Sequence, residues 1–220
     1  LAGILGIPLS AGAVLVIVSY LALGAGGLFW HIRREGKGTV SLLKEKMLTP
    51  AFVVFLVIFF SLSFFDRGKL ATGWDEFTHW IDCVKVMVTL DDFVTNPASM
   101  SMFSNYPPSM ALFQFFLQKL HLWTHPEEVF SEWHNYFAYQ IFAVSIWMPF
   151  MRKLRFRRPF EMIMLPVAVV LVPLFFYRDF YMSLYVDAFL GILAGCGMAY
   201  LFIKKEKDWT DLIYIGMLLF

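Results

Sequence analysis

The sequence predicts an all-α bundle of membrane-crossing helices, and three observations carry that prediction. Apolar residues make up 59% of the 220-residue chain and its mean hydropathy is +0.65, well above the roughly 45–50% apolar content of soluble domains. The excess comes in blocks close to the ~20 residues that cross a bilayer core. The basic residues between the blocks fall on alternate sides of successive crossings, as the positive-inside rule requires. Residues 1–220 are therefore expected to form one membrane domain with about six spans.

In order, the first span is expected over Ile4–Trp30, where Ala11-Gly12-Ala13 and Gly24-Ala25-Gly26-Gly27 suit close helix packing in lipid. It lacks a basic leader and a clear cleavage site, so it reads as a membrane helix and not a signal peptide. Pro50 opens a second span ending near Phe65, and a long polar segment, 66–132, follows. The third span is expected over Trp133–Met151. The fourth covers Phe160–Tyr177, with Pro166 and Pro173 as kinks. The fifth ends near Ile203, and a sixth runs to Phe220. The chain starts at Leu1 without methionine and stops within an apolar run, which predicts a piece of a longer protein. Cys83 and Cys196 are far apart in sequence and form no metal or disulfide pattern.

The net charge of +1 is uninformative, but its distribution is not. The loops after spans one, three and five hold thirteen of the eighteen Lys and Arg residues, including Arg33, Arg34, Lys37, Lys44, Lys46, Arg152, Lys153, Lys204, Lys205 and Lys207. The opposite side holds eleven of the seventeen acids. Segment 66–132 is therefore expected on the extracytoplasmic face of a multi-pass cell-membrane protein. The basic runs read as cytoplasmic flanks, so nucleic acid is not an expected partner.

Three pieces of the outer side carry candidate chemistry. At 100° per residue, a helix over Trp74–Val88 gathers Asp75, Thr78, His79, Asp82 and Lys85 on one face. Phe77, Trp80, Ile81, Val84, Met87 and Val88 take the other. Such a juxtamembrane helix is expected to lie in the interface with its apolar face in lipid. Asn105-Tyr106-Pro107-Pro108 leads into a second juxtamembrane helix, and Tyr181–Phe189 sets Asp187 at the outer end of the fifth span. Each piece also has a plain structural reading: a solvated surface helix, a loop-to-helix turn, a snorkelling acid. Trp74, Trp80, Trp123 and Trp133 fit an interfacial aromatic belt. His121, His125 and His134 follow no ligand spacing.

Together, Asp75-Glu76, Tyr106-Pro107-Pro108 and Asp187 resemble the N-terminal half of the C-superfamily (GT-C) membrane glycosyltransferases. That group includes protein mannosyltransferases and the aminoarabinose and mannosyl transferases of bacterial envelopes. The likeness covers about Ala51–Leu201, and the extra charges His79, Asp82 and Lys85 depart from the pattern. The resemblance implies inverting transfer of a sugar from a polyprenyl-phosphate donor to a hydroxyl of a glycan, lipid or protein acceptor at the membrane. Asp75 is the first choice for the base that takes the acceptor proton, and Glu76 is the alternative or an orienting group. His79, Tyr106 and Asp187 are candidate substrate contacts. Lys85 and Arg178 are candidates to stabilise the leaving phosphate, with interfacial anchoring as their ordinary reading. Asp75, His79 and Asp82 could ligate a divalent ion. Two other classes compete. A lipid or polysaccharide transporter or flippase would carry its ionisable groups near the midplane. A non-catalytic assembly protein would tolerate loss of Asp75 and Asp187.

Overall fold

The computed structural model describes residues 5–36, 38–41, 44, 48–151, 154–203 and 209–219. Every regular element among them is helical. In chain order these are α1 (Leu9–Glu35), α2 (Pro50–Asp66), a π-helical turn (Glu76–Trp80) running into α3 (Ile81–Leu90), α4 (Ser109–Thr124), α5 (Trp133–Ile146), the single turn α6 (Met148–Met151), α7 (Pro159–Phe176), a 3-10 turn (Phe180–Met182), α8 (Val186–Ile203) and α9 (Trp209–Leu219). Lys37, Lys46, Arg152, Lys153, Lys204, Lys205 and Lys207, which carry much of the expected charge asymmetry, lie outside the described residues.

Among the described residues, three helices are long and apolar enough to cross a membrane: Leu9–Arg34 within α1, α7 and α8. The apolar α2 has 17 residues. About six full spans are therefore not found among the described residues, and the expected third span shows why. Pro149 has no N–H to give the preceding turn, so the helix breaks at Trp147 and divides Trp133–Met151 into α5 and α6. The break frees the carbonyl of Ile146. It accepts instead from the Tyr214 hydroxyl of α9 at 2.7 Å and from the Cys196 thiol of α8 at 3.3 Å, which keeps a buried backbone acceptor paired.

α5 is the buried centre of the bundle, with α2, α4 and α8 packed around it. Ala138 and Ala143 are fully buried and let neighbours approach closely, while Tyr136, Tyr139 and Ile141 fill the space between helices. α7 and α8 meet at Gly191, where a Cβ would lie 2.6 Å from a ring carbon of Phe176.

One end of the bundle is tied together by polar groups. Buried Asp66, at the end of α2, pairs with Lys69 at 2.5 Å and accepts from Gln140 of α5 at 3.2 Å. Lys69 and Gln140 both donate to the carbonyl of Tyr181. At the same end α1 begins against α3. The Leu9 and Ser10 amides donate to the backbone and side chain of Asp91, each at 2.9 Å, and the Ser10 hydroxyl bonds its other carboxylate oxygen. Asp91 sits at φ 53° in the left-handed region, which aspartate tolerates better than most residues.

The juxtamembrane helix differs from expectation. Its apolar residues Val84 and Met87 are fully buried, in a cluster with Ala111 and Phe115 of α4, and not left facing lipid. Burial of such side chains is worth roughly 1.5–3 kcal/mol each, so α3 and α4 pack as a pair.

Candidate functional site

The π-turn decides which side chains face the site. Ile81 N–H bonds the carbonyl of Glu76, five residues back, so the turn holds one residue more than an α-turn. Glu76, and not Phe77, therefore lies beneath Ile81. Glu76 is 1% exposed and Phe77 is 55% exposed.

Glu76 is fully engaged. One carboxylate oxygen accepts from the Thr72 and Gly73 amides, both at 2.9 Å, and the other from the Leu184 amide at 3.1 Å. It joins the segment that precedes α3 to the loop that precedes α8. Glu132 adds a second tie by accepting from the Ala71 amide at 2.7 Å. Glu76 does not line the cavity described next; its carboxylate is taken up by backbone amides of both segments, as a clasp between them.

A cavity of about 690 Å³ opens between the π-turn, α4, α5 and the start of α8. Asp75, His79, Tyr106 and Asp187 all line it. Asp75 and Asp187 are exposed at its mouth. Tyr185 lies with them, its carbonyl held by the Tyr139 hydroxyl at 2.6 Å. The Tyr185 phenol is pushed above its ordinary pKa, first by desolvation and then by the charge of Asp75.

His79 is 5% exposed. Its ring packs against Trp80 and Tyr106, each 4.1 Å between centroids, and against Phe103 at 5.5 Å. Burial holds its pKa below the ordinary value against the opposing charges of Asp82 and Asp75, which favours the neutral ring. Its Nδ1 is buried with no hydrogen-bond partner. The Cys83 thiol, also on the wall, is pushed up to about 12 by burial and by Asp82, so it stays a thiol.

Three expected site residues stand elsewhere. Lys85 is exposed on α3, Arg178 is exposed beyond the end of α7, and neither they nor Asp82 line the cavity. Among the described residues no three His, Cys, Asp or Glu side chains are grouped so as to hold a metal ion. The set Asp75, His79 and Asp82 is thus not drawn together as an ion site: the His79 ring is turned into its aromatic neighbours. A smaller cavity of about 240 Å³ shares Tyr185 and Asp187 and is bounded by Phe176 and Tyr177, the neighbour of Arg178.

Sequence reasoning missed Tyr185 and Phe103. Tyr185 was legible as a neighbour of Asp187 within the same short motif. Phe103 lies in an irregular segment with no periodicity to mark it. No protein-family model, curated protein or solved structure matches this chain.

Proposed function

We propose that this protein is a membrane glycosyltransferase of the GT-C type, moving a sugar from a polyprenyl-phosphate donor to an acceptor hydroxyl at the cavity mouth. One observation carries the reading. Three segments far apart in the chain, bearing Asp75 with His79, Tyr106, and Asp187, border a single cavity at the polar end of an apolar bundle. A cavity of this volume is in the range that holds a small ligand.

In this mechanism Asp75 accepts the proton of the acceptor hydroxyl as its oxygen attacks the anomeric carbon. The bond from that carbon to the lipid phosphate breaks, and the phosphate leaves with the electron pair. Asp187, which lines the same cavity, binds sugar hydroxyls. The aromatic group of Trp80, Phe103 and Tyr106 offers flat faces to a sugar ring. The large cavity has no lysine or arginine among its described lining residues. The leaving phosphate is therefore assigned to the side of the small cavity, next to Arg178 in sequence.

The test compares Asp75→Asn with wild type, in membranes, for incorporation of sugar from radiolabelled polyprenyl-phosphate donors. Loss of transfer by at least a hundredfold at equal folded protein is expected, within the ~10²–10⁴ range of general base catalysis. Unchanged transfer removes Asp75 as the base. A wild-type protein that consumes no donor removes the transferase reading.

A further inference from the structure

α3 and α4 bury their apolar faces against each other, through Val84, Met87, Ala111 and Phe115. The segment that connects them, 91–108, does not follow them inside. Met100 is 96% exposed and Met102 is 76% exposed, with Phe103 and Tyr106 exposed in part. Residues 93–118 include no Asp, Glu, Lys, Arg or His. The link from α4 to α5, in contrast, carries Glu127, Glu128 and Glu132. The level of segment 91–108 is set by the helices at its two ends. It starts beside the first residue of α1, where the Leu9 amide donates to the Asp91 carbonyl at 2.9 Å. It ends beside the first turn of α8, where Tyr106 shares the cavity wall with Val186 and Asp187. α1 and α8 are both long and apolar enough to cross a membrane, so the segment stands where their spans begin, at the boundary between water and hydrocarbon. Its backbone suits a place with little water. The Phe93, Asn96, Ala98, Ser99 and Ser101 amides all donate within the segment, to the side chains of Asp92, Asn96 and Ser99 or across turns.

We propose that segment 100–106 docks on the bilayer itself, with Met100 and Met102 inserted at the headgroup–acyl boundary, and that lipid thereby holds one wall of the large cavity. Phe103 and Tyr106, from the same short segment, turn to the cavity and pack on the His79 ring. One side of the segment thus closes around the ring cluster of the site while the other meets lipid. Lipid is the occupant because the spans place this surface at the membrane boundary and because no charged side chain of the segment holds it in water. Depth is limited by the irregular backbone, since N–H and C=O groups left unpaired in hydrocarbon are costly. The depth expected is about 5–10 Å, that of an interfacial segment. The docking holds whether or not the cavity transfers a sugar.

The experiment places one nitroxide spin label at a time on the full chain in liposomes. It reads collisions with oxygen, which concentrates in hydrocarbon, and with a nickel chelate, which stays in water. Cys83 and Cys196 are buried and take up no label in the folded protein. Labels at Met100→Cys and Met102→Cys are compared with Leu21→Cys, exposed in the middle of α1, and with Val129→Cys, exposed among the acids of the α4–α5 link. Calibrated against lipids labelled at known positions, the two methionine sites are expected about 5–10 Å inside the headgroup boundary, with Leu21 deeper and Val129 in water. Labels at Met100 and Met102 that meet the chelate as freely as the Val129 label overturn the proposal. Labels there that are immobilised and shielded from both reagents also overturn it, because protein then covers the segment. The cavity wall has its own readout in Cys83, which lines the cavity, against Cys196, which does not. Met100→Asp combined with Met102→Asp is expected to draw the segment off the lipid and to speed thiol labelling of Cys83 alone. A Cys83 rate that stays at the wild-type value overturns the part of the proposal that gives lipid a hold on the cavity.

Discussion

Replacing Glu76 with glutamine tests whether the site is held by one buried carboxylate. The side chain keeps its shape but has one acceptor oxygen where Glu76 has two. In its better orientation the amide oxygen stays on the Thr72 and Gly73 amides, and its NH₂ then meets the Leu184 N–H, donor against donor. Two hydrogen bonds fall from charge-assisted to neutral strength, about 1 kcal/mol each. One buried N–H loses its partner, at about 1–3 kcal/mol. The sum is about 3–5 kcal/mol, which for a chain of this size lowers Tm by roughly 6–20 °C. Cys83 and Cys196 are both buried, so a thiol-reactive fluorophore that labels them only on opening reports the melt. Asp75→Asn, one residue away and exposed, is expected to melt with wild type. A Glu76→Gln protein that melts within about 1 °C of wild type refutes the clasp. The same replacement is expected to weaken ligand binding without touching a lining residue, because it frees the loop that carries Tyr185 and Asp187.

Other consequences follow from the same geometry. The folded chain holds the pKa of His79 below its ordinary 6.5, so the unfolded chain takes up the proton first as pH falls. Its contribution to stability is complete above 6.5 and declines below it; Tm measured from pH 8 to 5 should fall more steeply for wild type than for His79→Gln. Asp91→Ala removes both the tertiary cap of α1 and a residue suited to positive φ, at about 1–2 kcal/mol for the cap. A cysteine reporter at buried Ala13 near the start of α1 (Ala13→Cys) should then label faster, and Asp91→Asn should restore most of the protection. Gly191→Ala forces the Phe176 ring aside, at about 1–3 kcal/mol of overpacking. The loss of Tm should shrink when Phe176→Ala is added.

Much of the fold was legible because it is local. Apolar runs such as Pro159–Phe176 and Val186–Ile203 can satisfy their backbone only as helices in lipid, whatever surrounds them. Tyr106-Pro107-Pro108 marks a helix start through the fixed φ of proline. Asp75, His79, Tyr106 and Asp187 were distinguishable because polar groups next to apolar runs are uncommon, and they line one cavity. The remainder was decided by contacts between distant residues. The π-turn leaves no mark in hydrophobic spacing, yet one extra residue exchanges Glu76 for Phe77 on the buried side. The role of Glu76 depends on Leu184, 108 residues away. Charge made Lys85 and Arg178 visible in the sequence, but neither lines the large cavity, because direction is not visible there. α5 has the composition of a span, but its burial on all sides comes from α2, α4 and α8 closing around it. The sequence by itself determined which segments must be helical and apolar, since each backbone must pair its own hydrogen bonds. Only the tertiary structure decided which polar groups meet, because a side chain's direction is set by the neighbours that remove it from water.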